Sequence, residues 1–472
     1  MAVTLNTSIS WLTASGDDLV MLENLQPNIL KPHTRDALVI LFLSFSDSTG
    51  AKQFLRDVST IMKSAKTHLA EVKAHNDDPT VLGTVYVGVG LTASGYKQLG
   101  EVNIPSDPSF LNGMQGEPQL HDPDVATLEL AFQDRNKLHA IVLIGDSGPQ
   151  SVASMQSTIE LKIANAQGVS ILSKEVGKGI VNAAKEGIEH FGYVDGRSQP
   201  LFFTEDILEE QKKETGTAPR WNPDFPLSQA IVPDPGAPDP SVHFGSYFIF
   251  RKLEQDVKAF KNAEVQFAKD LQISEKERAG GLLVGRFEDG TPVTSAAAEA
   301  GLPGVVNDFT YSSDLDAGKC PFLGHIRKTN PRGTGGKELE VDERSHLMPR
   351  RGQTYGIRED DPNDGQIANK PSKDVGLLFM AFNSDIGNQF EFTQKFWANN
   401  AGFPEVPTGH PAPGVDPIIG QLPSGQTRPK MTVARIWGDA SSNVTVSAVP
   451  QTVTMKGGEY FFMPSLAYLR EL

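Results

Sequence analysis

Three residues have side chains and surroundings suited to breaking an oxygen–oxygen bond. Asp195 sits in Gly192-Tyr193-Val194-Asp195-Gly196, where a tight glycine backbone can hold a carboxylate close to a bound group. His325 opens the basic, polar run His325-Ile326-Arg327-Lys328-Thr329-Asn330, with Arg332 close behind. Arg350 lies in Met348-Pro349-Arg350-Arg351-Gly352-Gln353-Thr354-Tyr355-Gly356. An imidazole can ligate haem iron. A carboxylate can take a proton from peroxide and return it to the departing oxygen. A guanidinium, always charged and forked, suits the charge that develops there. The set describes a haem site that consumes peroxide.

Each residue also has a plainer reading. The chain has ten histidines, and any one of them can be a surface or capping residue. A Gly-x-x-Asp-Gly carboxylate can simply close an Asx-turn. Arg350 and Arg351 can both be solvated. The context of His325 favours a ligand: Cys320-Pro321-Phe322-Leu323-Gly324 leads into it, and Arg327, Lys328 and Arg332 follow, where they can pair haem propionates. The acidic stretch Glu338-Leu339-Glu340-Val341-Asp342-Glu343 offers oxygens that suit Mn²⁺, or forms a solvated loop.

Positioning these groups falls to an ordinary water-soluble composition, 39% hydrophobic and 21% charged. At 472 residues the chain is long enough for two domains. No apolar run approaches the roughly 18 residues of a membrane helix. A net charge of −15 disfavours nucleic acid as a partner. The one cysteine, Cys320, rules out an internal disulfide. With no basic, then apolar, leader at the start, a cytoplasmic location is expected.

The pattern predicts an irregular arm over residues 1–35, a strand over 37–45 and a helix over 51–75. Further strands are expected at 81–91, 139–144, 245–251, 375–382 and 458–463. Helices are expected at 91–99, 150–166, 253–271 and 387–399. The proline-rich stretch 218–240 should hold no regular element, since each proline fixes φ and removes a donor. The expected division is therefore 1–217 as an N-terminal domain carrying the Asp195 segment, 218–241 as a connection, and 242–472 as a C-terminal domain. A second loop, 402–429, is long enough to be functional.

Six motifs occur in order between residues 192 and 420: the Gly-x-x-Asp-Gly at 192–196, His-Ile-Arg-Lys-Thr-Asn-Pro-Arg at 325–332, Arg-x-Gly-x-x-Tyr-Gly at 350–356, Leu-Leu-Phe-x-x-Phe-x-Ser at 377–384, Asn-Gln-Phe-Glu-Phe at 388–392 and Asp-Pro-Ile-Ile-Gly at 416–420. In these the chain resembles the dye-decolorizing peroxidases, from about residue 25 to the end. Its length and proline-rich insertion resemble that family's longer, more elaborated branch. The resemblance implies an α+β fold of two ferredoxin-like domains with antiparallel sheets. It implies haem in the C-terminal domain, with residues 192–200 folded over its distal side.

By the same resemblance His325 would be the proximal ligand of haem b, with Asp416 accepting from its other ring nitrogen. Asp195 would be the distal acid–base and Arg350 the distal cation. Arg327 would contact a propionate, and Leu378 and Met380 would line the distal pocket. A Phe is more usual in the family where Met380 stands, and its thioether would be open to self-oxidation. Trp397 would be a surface radical site with Tyr355 as relay, although Phe390 and Trp397 also share a helical face that suits core packing. The implied reaction uses hydrogen peroxide and oxidises aromatic donors, anthraquinone dyes and phenols, by one-electron steps through a ferryl/porphyrin-radical intermediate. The competing reading is a protein that binds or handles haem iron without peroxidase turnover. It would use His325 but not need Asp195 and Arg350 together.

Overall fold

The computed structural model describes residues 2–213, 221–301, 307–406, 408–410 and 412–472. The expected boundary at 217/218, and residues 218–220 of the connection, lie outside the described residues. The N-terminal half supplies four strands to the main sheet: β1 (Ala37–Phe45), β2 (Tyr86–Leu91), β3 (Ala140–Asp146) and β4 (Val169–Lys178). The C-terminal half supplies β5 (Phe244–Gln255), β6 (Gln353–Tyr355), β7 (Gly376–Asn383) and β8 (Val453–Met463). The first four lie in the order β4-β1-β3-β2 and the second four in the order β8-β5-β7-β6, with every pairing antiparallel. Each half thus repeats one strand order, with helices between strands, as a ferredoxin-like α+β fold requires. The two sheets meet at both edges, through Leu91 opposite Phe462 and Gly177 opposite Tyr355. The result is a closed ring of eight strands.

Closure explains why β1, β2 and β3 read as continuous apolar runs, because each is buried on both faces. Successive side chains of β1 point to opposite sides. Leu38, Ile40 and Phe42 join one core cluster with Phe250, Leu378, Met380 and Phe461 from the other half. Phe42 meets Phe250 edge-on at 4.9 Å between ring centres, so this cluster fills the ring. Val39, Leu41 and Leu43 join a second cluster under the outer helices, with Phe54, Leu55, Val58, Ile159 and Ile163.

Several expectations change in detail. The arm contains helix α1 (Gly16–Asn24). The single helix expected over 51–75 is two, α2 (Ser48–Ser59) and α3 (Ala65–Asp77). Ser64 restarts the helix by accepting the Thr67 amide, an N-cap that satisfies a donor with no helical partner. In the proline-rich stretch Val232–Pro233 forms a two-residue strand against β5. Proline is tolerated there because the pairing lies at a sheet edge. The helix expected over 387–399 is two π-helical segments, Gly387–Glu391 and Thr393–Ala398. Glu338–Glu343 runs into a helix, Glu340–Ser345, rather than a solvated loop. Its Glu343 carboxylate accepts from the Gly333 and Gly335 amides, both at 2.6 Å. Among the described residues no helix is long and apolar enough to cross a membrane.

Candidate active site

A cavity of about 390 Å³ opens on the outer face of the C-terminal sheet. His325, Asp195 and Arg350 all line it, although they come from separate stretches of chain. His325 begins the short helix His325–Thr329. Its Nδ1 lies 2.8 Å from Asp416 Oδ2. Asp416 is fully buried, and its other oxygen accepts the amides of Ile418 (2.8 Å) and Ile419 (3.0 Å). Burial opposes charge on Asp416, but His325 and those amides outweigh it and hold the carboxyl below its ordinary range. A carboxylate there makes Nδ1 the donor, which leaves a lone pair on Nε2. Among the described residues no group hydrogen-bonds Nε2. For His325 itself, burial lowers the pKa and Asp416 more than offsets it, so the ring is held above the usual histidine value.

The helix and the Asp416 loop are tied together by Lys328. Its Nζ donates to the carbonyls of Asn400 (2.7 Å), Phe403 (2.6 Å) and Gly414 (2.6 Å). Burial drops this ammonium to about 7. The side chain expected to meet an anionic cofactor instead clamps the loop that carries Asp416.

Asp195 sits at the end of a turn built on Glu189. The Glu189 carboxyl accepts the amides of Phe191 (2.8 Å) and Tyr193 (3.0 Å) and the side chain of Gln255 (2.5 Å). Gly192 has φ of +103°, and a Cβ there would come 2.9 Å from Asn363 Oδ1, so glycine is required. Asp195 is exposed, with Oδ1 accepting the Gly196 amide at 2.6 Å. Arg350 is linked to the same turn twice. Its amide donates to Gln199 Oε1 (2.9 Å) and its Nη2 to the Arg197 carbonyl (2.6 Å). Asp195 and Arg350 are therefore carried by one tied assembly.

Five expected residues lie elsewhere. Arg327 is completely buried and does not line the cavity. Two residues past His325 on a helix, it points about 200° away. It bonds Asp314 Oδ2 (3.1 Å) and the Cys320 carbonyl (2.5 Å), and its guanidinium lies 4.6 Å from both the Tyr311 and Phe322 ring centres. Leu378 and Met380 are also fully buried, inside the ring of strands. Strand alternation instead turns Leu377 and Phe379 onto the cavity wall. Trp397 is not at the surface. It is 1% exposed, stacked on Phe403 at 5.3 Å with His346 edge-on at 5.2 Å; its neighbour Phe396 is the exposed ring. Tyr355 is buried too, and its hydroxyl has no hydrogen-bond partner.

Of the cations in the run after His325, Arg332 is the one that lines the cavity, and the structure adds Arg286. Arg332 donates to Ser198 Oγ (2.8 Å) and Asn307 Oδ1 (2.7 Å), and burial lowers it to about 9. Arg286 is lowered to about 10 by the same cause. Nothing in the local sequence marks Arg286. The buried cations, the apolar Leu377 and Phe379 walls and the free lone pair of His325 fit a flat apolar group carrying anionic arms and a metal centre.

No family model matches the chain. It is 53% identical to the multifunctional dye peroxidase DyP2 of Amycolatopsis sp., across the whole of both chains. The solved structure of that protein superimposes with a TM-score of 0.95. The DyP-type peroxidase AnaPX of Anabaena sp. is 36% identical, with a TM-score of 0.87 over 98% of this chain and 96% of that one. The dye-decolorizing peroxidase of the fungus Mycena epipterygia is 29% identical over 96% of this chain and 86% of its own length.

Proposed function

The chain belongs to the dye-decolorizing peroxidase family, haem enzymes that oxidise dyes with hydrogen peroxide, and from that premise we propose which of its residues do the work. The cofactor is haem b, held through Nε2 of His325. Asp416 keeps the proton on Nδ1 and makes the imidazole a stronger donor. Arg332 and Arg286 hold the propionates, in place of Arg327. Leu377 and Phe379 pack on the ring, in place of Leu378 and Met380. Haem bound there would supply redox-active iron, the chemistry that peroxide reduction and donor oxidation require.

The protein's own contribution is proton movement and charge. Asp195 accepts the proton of hydrogen peroxide on a carboxylate oxygen and delivers it to the oxygen that leaves as water. Arg350 donates from its guanidinium to the oxygen that gains negative charge. Gln199 and the Arg197 carbonyl keep Arg350 against the Asp195 turn. Phenols as well as anthraquinone dyes are the expected donors. Residues 1–217 and 242–472 are the two ferredoxin-like halves. The lone thiol, Cys320, fits a reducing, cytoplasmic setting.

The observation that carries this reading is the convergence of His325, Asp195 and Arg350 on one cavity. The test is an absorption spectrum of the haem-loaded protein followed by rapid mixing with one equivalent of peroxide. A Soret band that shifts quickly in wild type, and about 10²–10⁴-fold more slowly in Asp195→Asn at equal haem content, is expected. An unchanged rate in that variant would remove Asp195 from the proton transfer.

A further inference from the structure

A second polar cluster lies apart from His325, where the N-terminal arm crosses α3. One nitrogen of His33, one nitrogen of His68 and one oxygen of Glu71 fall within 4.8 Å of one another. His68 and Glu71 are three apart on α3 and so share a helix face. His33 is fixed by its amide, which donates to Asn28 Oδ1 at 3.0 Å. His33 and His68 are buried and stacked, ring centres 4.8 Å apart.

The hydrogen bonds of His33 do not balance. Its Nδ1 is 2.6 Å from the Thr34 carbonyl and its Nε2 is 3.2 Å from the Thr84 carbonyl. A neutral imidazole has one N–H and faces two acceptors here. The shorter contact places the hydrogen on Nδ1. The Nε2 lone pair then points at a carbonyl oxygen, in a buried site where an unrelieved mismatch is costly. A cation between the two atoms would resolve the mismatch. Lys63 is the cation beside them: its Nζ is 2.5 Å from the Thr84 carbonyl and 2.5 Å from Glu71 Oε2.

We propose that His33, His68 and Glu71 form a binding site for a borderline divalent metal such as Zn²⁺, with Lys63 as the ammonium that the metal displaces. Two imidazoles and one carboxylate suit zinc and disfavour calcium or magnesium, which prefer all-oxygen shells. The Thr34 carbonyl on Nδ1 is the kind of outer partner that orients a metal-bound histidine. At zinc–ligand distances of about 2.0–2.1 Å the donor atoms must close to roughly 3.4 Å apart, a side-chain adjustment. The metal would staple the arm to α3 beside Pro32 and Arg35, which line the main cavity.

The probe is Zn²⁺ itself, soaked into crystals of the haem-loaded full chain and located by anomalous diffraction at the zinc edge. Calorimetry would give the stoichiometry in solution. The expected result is an anomalous peak bounded by the three side chains and at least tenfold tighter binding in Lys63→Ala. The peak should vanish, and one equivalent of zinc be lost, in His68→Gln. Glu71→Gln tests the same point if His68→Gln fails to fold. No peak at these residues in both wild type and Lys63→Ala would overturn the proposal, as would a peak that survives loss of either ligand.

Discussion

At the scale of single residues, the His325–Asp416 pair lets the proposed ligand's strength be tested apart from its identity. Asp416 is buried and held ionised by two amides as well as by the ring, so its charge does not depend on solvent. Asp416→Asn keeps the shape and removes the charge. Haem affinity should fall about 10–100-fold, read from the rate of haem loss to an acceptor protein. Retention equal to wild type would mean that the carboxylate does not tune the ligand. Lys328 acts differently, although it is three residues from His325. It is a buried cation satisfied by three carbonyls of one loop. Replacing it with Met strands those carbonyls, and we expect a loss of about 2–4 kcal/mol in urea unfolding. A loss under 0.5 kcal/mol would show that the loop holds itself.

At the scale of elements, β7 illustrates how strand parity divides labour. Leu377 and Phe379 line the cavity, while Leu378 and Met380 fill the ring of strands. Leu378→Ala should therefore cost about 2–5 kcal/mol of stability and leave the haem spectrum unchanged. Leu377→Ala should do the reverse, shifting the Soret band with a smaller loss of stability. Equal effects from the two variants would contradict the assignment of faces. The turn carrying Asp195 shows another division. Glu189 shapes it from behind through two amides, and Gln199 ties its far end to Arg350. The Asp195 carboxylate can stay exposed because its backbone is held by neighbours.

At the scale of the whole molecule, the two halves close one ring of strands, so burial is deep and several titratable groups lie inside. His190 is one of them: its Nε2 donates to the Tyr355 carbonyl at 2.7 Å, and burial, with Arg358 beside it, lowers its pKa to about 4. Unfolded, the same ring titrates near 6.5. Between these values the unfolded ring binds more protons than the native one, so the contribution of His190 to stability rises with pH from about 4 to 6.5 and is flat above. His190→Gln, which retains a donor, should flatten this part of the urea-midpoint profile. A profile parallel to wild type would place the titration elsewhere.

Several of the side chains that gather at the cavity were legible in the linear sequence, because their motifs depend on residue type and spacing. The glycines around Asp195, the run from His325 and the aspartate at 416 identify the side chains, and the apolar run 37–45 identifies β1 to the residue. What it could not decide is direction. Strands buried on both faces are apolar at every position, so nothing in 377–380 says which residues meet the cofactor. A short basic helix does not reveal that Arg327 and Lys328 are internal clamps while Arg332 reaches the cavity. In sequence Trp397 fits either a surface radical site or core packing, and the packing of Phe403 and His346 on it decides for the core. Those choices belong to tertiary structure, since burial is set by what packs on each face and not by the residue that presents it.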